Sequence, residues 1–264
     1  FKENNKNKTK KKSHSKIIRN ESTINSIEVK NVSFKYPDSE KLILRNINFK
    51  IKNNSSIGIV GKTGCGKSTL IKLLAGLLSP SEGKILVNNK DININLKNWY
   101  NNLSYIPQDI YLNDDTIRRN IAIGEHDSEI DETKLKISIK LSGLERFVNN
   151  LDLGLETFVG TDGIKLSGGQ VQRIGIARAI YLQPNVFILD EATNSLDEMT
   201  ESEILEDFNN LKSNHIPRAN RMFMRSHANV ACGIHFGLPL QTESYLAIIC
   251  QNLSSIILTI QPLG

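Results

Sequence analysis

Lysine disappears from the end of this chain. All 23 lysines lie in residues 1–212, and the last 52 residues have none. At the lysine density of the first 212 residues, about five or six would be expected there, so composition marks a boundary. Two of the three cysteines, two of the three methionines and three of the five histidines fall beyond it. Cysteine is scarce throughout, at positions 65, 232 and 250. That spacing gives neither a disulfide framework nor a metal module, and it fits a reducing compartment. Long apolar runs are missing too. The most apolar stretch, residues 245–260, is interrupted by Gln251, Asn252, Ser254 and Ser255. A membrane-spanning helix needs about 20 mostly apolar residues, so no span is expected. No secretory leader is legible. The first residue is Phe1, from which the chain reads as a piece of something longer.

A basic surface is missing where the formal charge of +5 suggests one. Residues 1–20 hold seven lysines, Arg19 and a single acid, Glu3, a net of +7. The other 244 residues hold 25 basic and 27 acidic side chains, a net of −2. A folded body without basic excess lacks the electrostatic footprint of a nucleic-acid binder, so no nucleic-acid partner is expected. Residues 1–26 read as a basic, Asn- and Lys-rich tail that stays solvated. Attraction to an anionic membrane surface is the weaker alternative.

From residue 27 the pattern changes. "IEVKNVSF" and "LILRNINFKI" alternate apolar and polar residues, as half-buried antiparallel strands do. "SIGIV", "KILV" and "LSYIP" read as further strands, residues 115–150 and 168–182 as helices. "NVFILD" is an apolar run of the kind buried on both faces of a parallel sheet. Strands alternating with helices predict an α/β fold with an antiparallel group ahead of it.

Three motifs carry chemistry. "GKTGCGKST", residues 61–69, follows a strand and opens a helix, the grammar of a phosphate-binding P-loop. Gly61, Lys62, Thr63, Gly64, Cys65, Gly66 and Thr69 make the loop. Its glycines let the backbone close on an anion, so that N–H groups and the helix N-terminus face the phosphates. Lys67 would neutralise the β- and γ-phosphates of ATP, and the Ser68 hydroxyl would ligate Mg2+. A plain Gly-rich turn is the bland alternative. "VFILDEAT" supplies the partner: Asp190 would end a buried strand beside Ser68 and hold Mg2+. Glu191 could then orient or deprotonate the attacking water. "LSGGQ", Leu166, Ser167, Gly168, Gly169 and Gln170, heads a helix able to receive a second anion. One cradle already exists, so this site serves another nucleotide or the nucleotide of another subunit. The earlier "LSG" at 141–143 lacks the second glycine and the glutamine and reads as a decoy.

Together with "NSLD", these motifs resemble the nucleotide-binding domain of an ABC transporter, over residues 27–211. The resemblance implies a P-loop NTPase parallel sheet core with an antiparallel β subdomain and a helical subdomain at about 115–182. It implies ATP hydrolysis with Mg2+, and a head-to-tail homodimer in which each LSGGQ closes the other copy's P-loop. It assigns Tyr36 to stacking on adenine, Gln108 to contacting Mg2+ and sensing a transmembrane partner, and Asp197 to the dimer interface. "DDTIRRNIA" and "TFVGTDG" resemble exporter-type domains, which implies a transmembrane half ahead of this one and a place at the cytoplasmic face of a membrane. Thr161 departs from the acid such exporters carry. A catalytically impaired nucleotide-binding fragment, or a soluble ABC-type ATPase without a transport role, remains open.

The C-terminal part fits less well. The family's last catalytic residue is a histidine ending an apolar strand, at a spacing that falls here on Met222. His227 comes five residues later, after a stretch with a proline and two arginines. Proline argues against a central strand. The expectation is therefore that His227 has no strand to hold it and is not the γ-phosphate histidine, and that residues 213–264 are a divergent tail, shifted in frame or chimeric, with a lineage-specific end as the bland alternative.

Overall fold

The computed structural model describes residues 24–52, 56–60, 64–161, 164–190, 222–227 and 247–251. Its elements run β1 (Ser26–Lys35), β2 (Leu42–Lys52), β3 (Ser56–Val60), α1 (Lys67–Leu74), β4 (Glu82–Val87), β5 (Lys90–Asp91), α2 (Leu96–Asn102) and β6 (Leu103–Ile106). They continue with β7 (Asp115–Thr116), α3 (Ile117–Ile121), α4 (Glu132–Leu141), α5 (Glu145–Asn149), β8 (Phe158–Val159), α6 (Gly168–Tyr181), β9 (Val186–Asp190), β10 (Met222–His227) and β11 (Ala247–Gln251).

The alternating N-terminal segments form the expected antiparallel sheet, in the order β2-β1-β4-β5. Its inward positions, among them Ile27, Val29, Val32, Ile47, Ile51 and Ile85, are buried against α1 residues Leu70, Leu73 and Leu74. Burying one such side chain is worth about 1.5–3 kcal/mol. The register of β1 against β4 shifts between Lys30 and Ser33. Gly83 makes that shift possible: its φ is +79°, and a Cβ there would lie 2.3 Å from the carbonyl oxygens of Lys30 and Asn31.

The second sheet has the order β11-β3-β10-β9-β6. β3, β10, β9 and β6 run parallel, and β11 is antiparallel to β3. Every residue of β9 is buried, which explains its unbroken apolar run. The architecture is mixed α/β, as the alternation of elements predicts.

Residues 115–150 are not helix throughout, as the sequence reading has them. β7 starts the segment and pairs with β8, and α3, α4 and α5 are separated by turns. The reason is local: Thr116 and Asp131 cap α3 and α4 with side-chain hydrogen bonds, restarting the helix each time. The helices close on α6 around Ile117, Leu135, Leu144 and Ile174.

The expectation that His227 has no strand to hold it is corrected as well. Met222–His227 forms a strand, and it is central, hydrogen-bonded on both sides by β3 and β9. The proline that argued against a strand, Pro217, precedes β10 and lies outside the described residues. Of the later apolar runs, residues 247–251 become the edge strand β11.

Candidate functional site

Parallel strands end on one edge of a sheet, and here four of them do so together. β3 leads into the phosphate loop, β9 ends on Asp190, β6 runs toward Gln108 and β10 ends on His227. In register, Ser226 is opposite Asp190, His227 opposite Val60, and Ile106 opposite Leu189. The C-terminal edge of an open α/β sheet is where such folds gather ligand-binding groups.

The loop into α1 is shaped by two left-handed glycines, Gly64 at φ +82° and Gly66 at φ +98°. Gly66 is the N-cap of α1 and makes no side-chain cap; a helix N-terminus of this kind is suited to receive an anion. A Cβ on Gly66 would stand 3.0 Å from Leu44 Cδ2 and 3.1 Å from Ile43 Cγ2, so the position requires glycine on two counts. Lys67 and Thr69 are buried, and Cys65 packs on the edge of the core. Gly61, Lys62 and Thr63 lie outside the described residues, as do Glu191 and Asp197.

Asp190 is buried, and its two oxygens have different donors. Ser68 Oγ donates to Oδ1 at 3.2 Å, and Tyr105 Oη donates to Oδ2 at 3.2 Å. The Ser68–Asp190 pair, 122 residues apart in sequence, is the juxtaposition the motifs call for. Hard oxygen donors of this kind suit Mg2+. Gln108 is exposed at the bend two residues past β6, on the same edge. Tyr36 is 38% exposed; its hydroxyl lies 3.3 Å from Thr69 Oγ1, and its ring packs edge-on against Phe34 at 5.0 Å.

Ser167 caps α6 in a full capping box: its hydroxyl accepts from Gln170 N, and Gln170 Oε1 accepts from Ser167 N. Gln170 is thereby committed to shaping the turn. Leu166 is half-buried and packs on the helical core, whereas Ser167 and Gly168 are exposed. The decoy behaves as one. Leu141 ends α4 and Gly143 follows the cap at φ +67°, which makes that segment a helix C-terminus with carbonyls to offer.

Two side chains of this region carry no motif. Tyr105 is one. The other is Arg178 on α6, whose Nε donates to the Asn120 carbonyl at 2.8 Å and whose Nη1 donates to the Tyr111 carbonyl at 3.1 Å. It ties the helix that begins at LSGGQ to the segment following Gln108. Neither is readable from spacing, because strand register and helix docking bring the partners together.

Burial pushes the Tyr105 phenol well above the ordinary tyrosine value, and the charge of Asp190 and the hydrogen bond to it push the same way. Tyr181 is also raised, by burial and then by its hydrogen bond to Glu125. Both remain protonated in the folded chain where unfolded tyrosines ionise, near pH 10. Their stabilisation is complete below that value and is lost as pH rises beyond it, since the unfolded state then binds fewer protons. Denaturant melts between pH 9 and 11 should show stability falling above about pH 10. Tyr181→Phe should start lower and fall less steeply; an equal slope would contradict the assignment.

Residues 44–194 match the ABC transporter family. A putative export ATP-binding/permease protein of Rickettsia typhi is 38% identical over 246 residues, covering 87% of this chain and 42% of that protein. That share of the chain exceeds the 212 residues ahead of the compositional break. The multidrug resistance-like ATP-binding protein MdlA of Buchnera aphidicola is 40% identical over 216 residues, 81% of this chain and 36% of that protein. A bacterial Atm1-family ABC exporter with ATP bound superposes with a TM-score of 0.70 at 33% identity, covering 79% of this chain and 35% of that one. The chain thus spans less than half the length of these relatives.

Proposed function

The chain belongs to the ABC transporter family as an ATP-binding domain homologous to export ATP-binding/permease proteins, and from this premise we propose that it is the Mg-ATP-hydrolysing motor of a membrane exporter. The observation that carries the reading is the hydrogen bond from Ser68 to Asp190 beneath a left-handed glycine loop. It supports a phosphate cradle and a cation site side by side. Titration of a fluorescent ATP analogue against the wild type and Lys67→Ala tests it.

In this reading residues 27–212 are the ATP-binding domain, with the helical subdomain at about 115–182, and residues 213–264 are a divergent tail that adds strands to its sheet. The backbone of residues 61–69 and Lys67 hold the phosphates, and Tyr36 takes the adenine. Ser68, Asp190 and Gln108 hold Mg2+, which when bound screens charge on the β- and γ-phosphates. Glu191 accepts the proton of the attacking water. The register that sets His227 one residue beyond the level of Asp190 supports a contact between that histidine and the γ-phosphate.

Ser167, Gly168 and Gly169 offer the other anion site. Its helix α6 packs in a different apolar cluster from α1, the helix of the phosphate loop, which supports closure over the nucleotide of a second copy, with Asp197 at that interface. The transmembrane half is the remaining partner, ahead of this domain in the full protein, with the domain on the cytoplasmic face. Pairing of β7 with β8 joins the two exporter-like stretches, and Asp114 Oδ1 accepts from the Thr161 N–H at 2.5 Å. Asp114 thereby contributes a carboxylate at the turn that bears Thr161. Tyr111 and Phe158, 76% and 58% exposed near that turn, are apolar surface suited to such a partner.

A further inference from the structure

We propose that Tyr105 is the positioning residue of the cation site: its hydroxyl pins Asp190 by Oδ2 so that Oδ1, shared with Ser68, is turned toward the metal. This rests on the reading above, in which Ser68 and Asp190 take Mg2+. Ser68 and Tyr105 donate to different oxygens of one buried carboxylate, each at 3.2 Å. The two donors come from different directions, one from α1 and one from β6, so together they fix the plane of the carboxylate. The Tyr105 bond thereby restrains the terminal torsion of that carboxylate, which by itself has a broad two-fold profile.

The strand register explains why the residue is a tyrosine. Tyr105 is opposite Ile188 in the β6–β9 ladder, two residues short of Asp190. Two residues of strand cover about 6.6 Å. A phenol spans that distance, and a serine or threonine hydroxyl at the same position falls short. The ring is partly buried against the core that includes Val186 and Ile188, which fixes the direction in which it reaches.

Mg2+ demands near-octahedral geometry and tolerates little wandering of its ligands. Losing a group that orients a metal ligand typically costs ten- to a hundredfold in metal affinity. The experiment uses the full 264-residue chain and Tyr105→Phe, which keeps the ring and removes the hydroxyl. ATP affinity is measured in chelator, and Mn2+ is then titrated into the ATP-saturated protein and followed by its electron paramagnetic resonance. The expected result is unchanged metal-free ATP affinity with the Mn2+ midpoint raised about ten- to a hundredfold. An unmoved midpoint overturns the proposal, including the case where Tyr105→Phe merely melts at a lower temperature. If the wild type binds no ATP in chelator or with Mn2+, the underlying reading fails first and takes this inference with it.

Discussion

Glu191→Gln is expected to slow ATP hydrolysis by roughly two to four orders of magnitude, the usual contribution of a positioned general base, while ATP affinity stays close to that of the wild type. Glu191 follows Asp190 in sequence, the last residue of a fully buried strand. Glutamine keeps the size and removes the basicity. With hydrolysis blocked and binding intact, the nucleotide persists between two copies. Size-exclusion chromatography with ATP should therefore show a dimer for Glu191→Gln and monomer on removing the nucleotide. A Glu191→Gln chain that hydrolyses ATP at the wild-type rate would take the base elsewhere.

His227→Ala should lower turnover about a hundred- to a thousandfold, equivalent to about 2.7–4 kcal/mol of transition-state stabilisation, with ATP binding retained. Spacing alone leads to the opposite expectation, since His227 lies thirty-six residues after Glu191 and the family spacing falls on Met222. The backbone decides between them. β10 is paired on both sides, with Ser226 opposite Asp190 and His227 opposite Val60. The end of this strand is level with the end of β9. A rate unchanged by His227→Ala, in a protein whose activity still requires Glu191, would remove this histidine from the site and return residues 213–264 to a tail without function.

Local grammar made most of the site legible. A loop of fixed glycine spacing followed by Lys67 and Ser68 needs little context, because the backbone conformation it encodes is short-range. The apolar run ending at Asp190 is legible for the same reason: a strand buried on both faces has no polar positions to confuse the pattern. The helical region is more broken than its sequence pattern predicts, since caps such as Thr116 and Asp131 interrupt it. β10 is not legible in the sequence for a different reason. Its strand character comes from neighbours on both sides, β3 and β9, and its own residues, "MFMRSH", do not declare a strand. Tyr105 illustrates the same limit at the site, because its link to Asp190 spans 85 residues and exists only through the β6–β9 register.

The most direct test of the central claim is equilibrium titration of a fluorescent ATP analogue, with Mg2+, against the wild-type chain and Lys67→Ala. Lys67 is buried at the head of α1, inside the proposed cradle. A charged donor to phosphate is worth about 1.5–3 kcal/mol, so the account expects affinity to fall by roughly ten- to a hundredfold or more, with the melting temperature of the nucleotide-free protein little changed. Equal affinities for the two proteins would contradict it, because the phosphate site would then lie somewhere other than residues 61–69.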